Sequence, residues 1–130
     1  MGRLIIILLC LATPALAQDR MTADEFAAYV AGKTLTFGSP VDDFYGVERY
    51  DDDRRVTWQA DGGDCIEGEW YEDDGDICFL YENDPEPKCW AVYRTQTGIR
   101  AEFTTRPGTT LFEARENPEP LICPGPDLIG

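Results

Sequence analysis

The sequence contains no histidine, and its single serine is Ser39. Hydrolases with a Ser-His or Cys-His pair are therefore excluded, because their nucleophile needs a histidine base. A glycoside hydrolase needs only two carboxylates at a set separation, but a chain this rich in acids acquires such pairs by chance. No glycine-rich loop leads into a helix, so no nucleotide has an evident site. We predict a protein that is not an enzyme, with no catalytic residue and no cofactor.

The sequence also lacks an apolar run long enough to cross a bilayer, which takes roughly 20 residues. Its longest run follows Arg3 and precedes Ala15-Leu16-Ala17, a small-x-small cleavage site typical of secretory signal peptides. We predict a signal peptide at 1–17 and a periplasmic or secreted mature chain without a membrane span. The mature chain, 18–130, has a length that suits a single domain.

Basic side chains are scarce, with 11 Lys and Arg against 25 Asp and Glu, and the formal net charge is −14 at pH 7. Between Asp42 and Glu86, 17 acids are accompanied by only three arginines. A surface of this sign repels nucleic-acid backbones and anionic membranes, so nucleic acid is excluded as a partner. The same charge suits solubility outside the cell or attraction of a basic protein.

Three acidic clusters, 51–53, 61–64 and 72–76, offer the oxygen ligands that calcium prefers. None has the spacing of an EF-hand loop, and Asp and Gly are also the residues that hairpin turns require. The clusters therefore predict turns. No metal site is predicted, and calcium binding at these turns stays open.

The mature chain contains an even number of cysteines, which indicates two disulfides in an exported protein. Cys10 lies within the predicted signal peptide; the remaining candidates are Cys65, Cys78, Cys89 and Cys123. A zinc site would need cysteines in closely spaced pairs, which these four do not form, so we do not predict one. The predicted strand register separates Cys65 from Cys78 by roughly 20 Å, which is too far for a disulfide between them. We favour Cys65 with Cys89, since both begin strands that flank 77–82, and Cys78 with Cys123; Cys78 with Cys89 stays open.

A helix is predicted over 22–31. Its start is marked by a capping box, Thr22-Ala23-Asp24-Glu25, and its end by Gly32. One face carries apolar residues at i, i+3 and i+4 spacing: Phe26, Tyr29 and Val30. We expect this face to pack on a sheet or to plug one end of a barrel; the alternative is a helix that binds a partner.

The stretch 33–116 predicts eight short strands between turn signals, at 33–37, 45–50, 55–60, 65–71, 77–82, 88–95, 99–105 and 109–116. Hairpin-length links indicate an antiparallel up-and-down meander. Closure into a barrel or flattened barrel would remove exposed edges; a sandwich stays open as the alternative. The predicted fold class is thus mainly β with one short N-terminal helix. The tail, 117–130, is rich in Pro and Gly and has no regular structure, and Cys123 is expected to pin it to the body.

Asp74-Gly75 predicts a two-residue type I′ turn, which sets the register of the central hairpin. Trp70 should then face Phe79, and Tyr71 should face Cys78. Because side chains alternate along a strand, the inward face of the hairpin should carry Ile66, Trp70, Ile77, Phe79 and Tyr81.

A family resemblance rests on two segments, DCIEGEWYEDDGDICFLYENDPEPKCW at 64–90 and ICPGPDLIG at 122–130. They resemble small exported bacterial proteins of unknown function, which pair a short N-terminal helix with a Cys- and Trp-rich meander. The resemblance implies the fold, the compartment and the disulfides, but no activity. A looser similarity, in architecture alone, is to lipocalin-like barrels and to small barrel inhibitors of lysozyme.

Two functions are compatible with these features. The first is a non-catalytic binding domain that takes a small apolar ligand among the aromatic residues Trp58, Trp70, Trp90, Phe79 and Tyr81. In a barrel this small, the same rings could instead fill the core. The alternative is an acidic interaction or inhibitor module that docks on a basic exported protein, helped by complementary charge. Salt separates the two, because screening weakens charged docking and leaves apolar binding unchanged.

Overall fold

The computed structural model describes residues 19–117 and 121–123. The predicted signal peptide with Cys10, and the tail residues 118–120 and 124–130, lie outside the described residues. The described chain forms one helix and eight strands: α1 (Ala23–Val30), β1 (Thr34–Ser39), β2 (Asp42–Tyr50), β3 (Arg55–Ala60), β4 (Cys65–Asp73), β5 (Asp76–Tyr81), β6 (Lys88–Thr95), β7 (Gly98–Phe103) and β8 (Thr110–Glu116).

All eight strands pair antiparallel in chain order, and β8 returns to pair with β1. The result is a closed up-and-down barrel, which confirms the predicted mainly β fold. Closure is favourable because it leaves no strand with an unpaired edge. The connections alternate between the two ends, so that the β1–β2, β3–β4, β5–β6 and β7–β8 connections lie at one end. The other three lie at the end where β1 begins.

The β4–β5 hairpin has the predicted turn and register. Asp74 and Gly75 both adopt positive φ, 49° and 84°, as a type I′ turn requires. Trp70 is opposite Phe79, and Tyr71 is opposite Cys78. A two-residue turn fixes the register of the two strands that it joins, and these pairs confirm the sequence prediction.

Strand β2 begins three residues earlier than predicted. Ser39 pairs directly with Asp42, so only Pro40 and Val41 form the turn between β1 and β2. The predicted strand left out Asp42 and Asp43, and Asp is a residue type depleted in strands. Both are exposed at the end of the barrel, where a strand tolerates charge.

Helix α1 closes the end of the barrel where β1 begins. The Glu25 amide donates to Thr22 Oγ1 at 3.2 Å, as a capping box requires, and Gly32 follows with a φ of 68°. Phe26 is 1 % exposed and meets three rings edge-on, with centroid distances of 5.8, 5.0 and 6.4 Å to Tyr50, Trp70 and Phe79. The expectation that this face plugs a barrel end is confirmed.

Tyr29, on the rim of the plugged end, ties the helix to the sheet. Its hydroxyl donates to Glu113 Oε2 at 2.5 Å, and the same oxygen accepts from the Ile99 amide at 3.0 Å. Two cations flank its ring, Lys33 at 4.0 Å and Arg94 at 4.6 Å from the centroid. These contacts fix the helix against β7 and β8.

Residues just before the helix complete the wall beside β6. Only three residue pairs join β5 to β6, from Ile77–Trp90 to Phe79–Lys88. Farther along β6, the Met21 amide donates to the Val92 carbonyl at 2.7 Å, and Arg20 is ion-paired with Asp76. Met21 is buried. An N-terminal segment therefore occupies the position next to β6 that β5 leaves free.

All four predicted cysteines form disulfides, but the favoured pairing is wrong. The bonds are Cys65–Cys123 and Cys78–Cys89. Cys78 and Cys89 lie directly opposite each other on β5 and β6, so Cys89 is not level with Cys65 as the draft register assumed. Two disulfides indicate an oxidising environment.

The described tail residues, Asn117 and 121–123, lie against the outside of the barrel. Thr36 Oγ1 donates to Asn117 Oδ1 at 2.7 Å on β1, and Arg49 on β2 donates to the Leu121 carbonyl at 3.3 Å. The Cys65–Cys123 bond then holds the tail at the start of β4. Cys123 thus pins the tail as predicted, with Cys65 rather than Cys78. No helix in the described part of the chain is long and apolar enough to span a membrane.

Candidate functional site

The barrel encloses a cavity of about 300 Å³ that extends from Phe26 at the plugged end to the β5–β6 connection at the other. We call the latter the open end. The lining residues come from the helix, from every strand and from the β5–β6 connection: Phe26, Phe37, Tyr45, Glu48, Tyr50, Trp58, Ile66, Phe79, Tyr81, Asn83, Asp84, Lys88, Trp90, Val92, Ile99, Ala101 and Leu111. The walls are mostly aromatic and aliphatic, with few polar groups, as is typical of small-molecule sites.

Four of the five aromatic residues singled out in the sequence line this cavity: Trp58, Trp90, Phe79 and Tyr81. The fifth, Trp70, does not. Its ring packs against Phe26 at 5.0 Å on one side, and the Arg54 guanidinium lies 4.3 Å from its centroid. Trp70 is 4 % exposed and belongs to the packed end. The rings therefore divide between filling the core and lining a cavity.

Two glycines make room for two of the aromatic rings that line the cavity. A Cβ at Gly46 would collide with the ring of Trp58, and a Cβ at Gly68 would lie 2.8 Å from Tyr81 Cδ1. Contacts this short do not occur in folded proteins, so a larger residue would displace each ring. Glycine at these two inward positions lets Trp58 and Tyr81 lie flat against the wall, which leaves the middle of the barrel open.

Glu48 is an acid inside the barrel. It faces inward from the middle of β2, opposite Leu35 and Trp58, and is 2 % exposed. The Tyr81 hydroxyl donates to Glu48 Oε1 at 3.0 Å. The second oxygen, Oε2, is buried without a hydrogen-bond partner among the residues that the structure describes. A buried polar atom without a partner costs free energy and calls for a functional explanation.

Burial raises the pKa of Glu48 from its usual 4.5 to about 8, although the Tyr81 hydrogen bond acts in the opposite direction. Desolvation dominates because a carboxylate loses its hydration inside an apolar wall. Burial also raises the pKa of Tyr81 and of Tyr50, and the nearby Glu48 adds to both shifts. At neutral pH the free protein therefore holds Glu48 protonated.

The open end is bordered by acids that are partly paired. Lys88 Nζ lies 2.6 Å from Asp84 Oδ2, and Arg106 Nη2 lies 3.1 Å from Glu86 Oε1. The bond from Lys88 lowers the pKa of Asp84. On the opposite rim, Tyr45 is 43 % exposed. The entrance is thus formed by aromatic edges and by charged side chains of the β5–β6 connection.

The acidic clusters form turns, as predicted. Asp51 accepts from Arg49 Nε at 3.0 Å, and Glu72 accepts from the Gly75 amide at 2.9 Å. Asp53 has a φ of 59°, which Asp tolerates in tight turns. Within residues 19–117 and 121–123, no group of three Cys, His, Asp or Glu side chains is placed to hold a metal ion.

Comparison with known protein families, with curated proteins and with solved structures finds no match for this chain. The closed eight-stranded barrel with its one helix is compatible with the fold that the sequence resemblance implied. It gives no family identity, so the properties of the site rest on its own geometry.

Glu48 is the site residue that the sequence did not reveal. The signal lies in the segment GVERY, where Gly46, Glu48 and Tyr50 alternate onto one face. Alternation does not stand out there because both faces of β2 are buried: Val47, on the outer face, is 6 % exposed. A strand buried on both sides shows no contrast between inward and outward positions.

Proposed function

We propose that the protein is a periplasmic or secreted, non-catalytic binding protein that holds a small, largely apolar ligand inside the barrel. The observation that carries this proposal is the cavity of about 300 Å³, which is plugged by Phe26 at one end and bordered by half-buried rings at the other. This volume is at the lower limit of small-molecule pockets, which span roughly 300–1,000 Å³.

The residues around the cavity support a binding role over a purely structural one. A barrel of eight strands is narrow enough for side chains to fill. Here the rings of Trp58 and Tyr81 lie against Gly46 and Gly68, and one inward residue of β7 is the small Ala101, so the middle of the barrel is not filled. A cavity left by small residues costs stability unless something offsets it. The architecture, a barrel with one plugged and one open end, is lipocalin-like in this respect.

Titration with N-phenyl-1-naphthylamine, a neutral apolar dye that brightens out of water, tests the proposal. We expect saturable binding to one site, with a Kd on the order of micromolar. Ala101→Phe should fill the cavity and weaken binding at least about tenfold. Ala114 is exposed on β8, so Ala114→Phe is the matched control and should bind as the wild type does.

Salt distinguishes apolar binding from binding to surface charge. Dye affinity should stay the same between about 50 mM and about 500 mM salt, because screening acts on exposed charges. Thermal unfolding of each variant verifies that it is folded; if Ala101→Phe does not fold, the smaller Ala101→Leu takes its place. Dye binding that does not saturate, or equal dye affinity for Ala101→Phe and Ala114→Phe, would refute the proposal.

A second candidate function is docking of a basic exported protein on the acidic turns. It is favoured by the position of two clusters, 51–53 and 72–76, at the plugged end, where most of their acids are exposed. Passing an exported-protein extract over the immobilised chain tests it. A basic protein that elutes as salt rises, and that Asp52→Asn with Asp53→Asn no longer retains, would support docking. An empty column would reject it.

A further inference from the structure

The cavity contains one feature that an apolar ligand alone does not explain, the carboxyl group of Glu48. We propose that the ligand carries a protonated amine on an apolar body, and that Glu48 is the anion that binds this amine. The inference rests on the proposed function and names the chemical class of the ligand.

The geometry at Glu48 leaves one oxygen for a ligand. Tyr81 donates to Oε1 at 3.0 Å, while Oε2 has no hydrogen-bond partner in the described part of the chain. Glu48 lines the cavity, and the terminal torsion of a glutamate is broad, so its carboxyl group can turn towards a ligand there. An ammonium group has three donors and no acceptor. It matches Oε2 once Glu48 has released its proton, because a carboxylate oxygen only accepts hydrogen bonds.

The walls around Glu48 suit a cation. Phe79 and Tyr81 stack with their ring planes 9° apart and their centroids 6.2 Å apart, and Trp58 lies opposite Glu48 on β3. Aromatic faces carry partial negative charge and attract ammonium groups. An alcohol would hydrogen-bond to the protonated Glu48 but would form no ion pair with it. A carboxylate ligand would face like charge.

The open end also favours cations over anions. Its β3–β4 and β5–β6 connections carry five acids: Asp61, Asp64, Glu82, Asp84 and Glu86. The bases at this end, Lys88 and Arg106, are paired with Asp84 and Glu86. Together with the formal net charge of −14, these acids raise the local concentration of small cations at the entrance.

Few other titratable groups face Glu48. Tyr50 on the same strand and Tyr81 on β5 are the ones close enough to act on its charge. Lys88 from β6 lines the cavity only at the rim, beside Asp84 and opposite Tyr45. The described lining residues of α1, β1, β3, β4, β7 and β8 are all uncharged. The pH dependence of amine binding should therefore follow Glu48.

Binding exchanges one proton for one ammonium ion. In the free protein Glu48 keeps its proton below its pKa of about 8, whereas alkylammonium groups keep theirs to about pH 10. When the amine enters, Glu48 releases its proton to the buffer, and the carboxylate pairs with the ammonium. Affinity should rise about tenfold per pH unit below the pKa of Glu48 and level off above it.

Three indole compounds that differ in one polar group test the assignment by isothermal titration calorimetry: tryptamine with an amine, tryptophol with a hydroxyl, and indole-3-acetate with a carboxylate. We expect tryptamine to bind about tenfold or more tightly than tryptophol, and indole-3-acetate to bind most weakly. In buffers with different ionisation enthalpies, tryptamine should release close to one proton per molecule near neutral pH. Tryptophol should release none.

Glu48→Gln keeps the size of the side chain and removes the charge. It should weaken tryptamine binding by about tenfold or more, abolish proton release, and leave tryptophol within about twofold of the wild type. The matched control is Glu69→Gln, the same change at an exposed position on β4. This control should change the affinity for neither compound, because the charge of Glu69 lies in solvent. Thermal unfolding checks that both variants are folded.

The outcomes separate this inference from the function on which it rests. If tryptophol and tryptamine bind equally in the wild type, the barrel is a ligand-binding protein but the amine assignment is wrong. Equal loss of both compounds in Glu48→Gln would also overturn the assignment, because the effect would then be on the cavity. If neither these compounds nor the dye binds, the proposed function and the amine assignment are both refuted.

Discussion

The two ends of the barrel use the same types of residue in opposite ways. At the plugged end, Phe26 is 1 % exposed and meets its neighbouring rings edge-on, the arrangement that aromatic rings prefer. At the open end, Trp58 and Trp90 are half-buried, and Tyr45 is 43 % exposed. The difference lies in the helix, which covers one end only. An aromatic residue on an inward strand position thus becomes core or cavity wall according to what covers it.

The contrast predicts that stability resides at the plugged end. Phe26→Ala should lower the free energy of unfolding by about 3–5 kcal/mol, because it removes a fully buried ring and leaves a cavity among packed neighbours. Chemical denaturation of the oxidised protein measures this. Phe112→Ala, at an exposed position on β8, is the control and should cost less than about 1 kcal/mol. Equal costs would mean that the helix does not hold the fold together.

The two disulfides sharpen the comparison, since one holds the tail and the other joins neighbouring strands. Cys65 and Cys123 are separated by 58 residues, and Cys78 and Cys89 by 11. From loop length alone, replacing both members with alanine should cost about 4 kcal/mol for Cys65–Cys123 and about 3 kcal/mol for Cys78–Cys89. Denaturant midpoints of the two double variants test the order. A reversed order would show that the burial of Cys78 outweighs loop entropy.

A third test addresses the cavity directly through pH. The folded protein holds the Glu48 proton up to about pH 8, whereas the unfolded chain releases it near 4.5. The contribution of this group to stability is complete below 4.5 and is lost as pH rises towards 8. In that window the unfolding free energy of the wild type should fall relative to Glu48→Gln by up to about 1.4 kcal/mol per pH unit. If the unfolding free energies of the wild type and of Glu48→Gln change with pH in the same way, Glu48 is not buried as described.

The sequence was sufficient for the parts of the fold that local rules decide. The Asp74-Gly75 turn fixed the central hairpin, and the box at Thr22 fixed the start of the helix. Short links between strands with no room for crossovers led to an up-and-down order, although they left open whether β8 would close on β1. Each of these depends on a few neighbouring residues.

The parts that were wrong or missed depend on contacts between distant segments. The disulfide pairing required the register of β5 with β6, which a six-residue connection leaves undetermined, and the contacts of the tail with β1 and β2. Glu48 was missed because its burial depends on the opposite wall and on Tyr81, which is 33 residues away. The division of the rings between core and cavity depends on Phe26, whose position inside the barrel is a tertiary property.

The short pairing between β5 and β6 has a consequence for aggregation. A closed barrel has no free edge, but a break at one junction creates two at once, and each is a template for strand addition by other chains. Three residue pairs, the Cys78–Cys89 bond and the segment at Arg20 and Met21 hold this junction. The shorter disulfide closes a small loop and contributes modestly to unfolding free energy. Its larger effect is to keep both edges covered during the local openings that every native barrel undergoes.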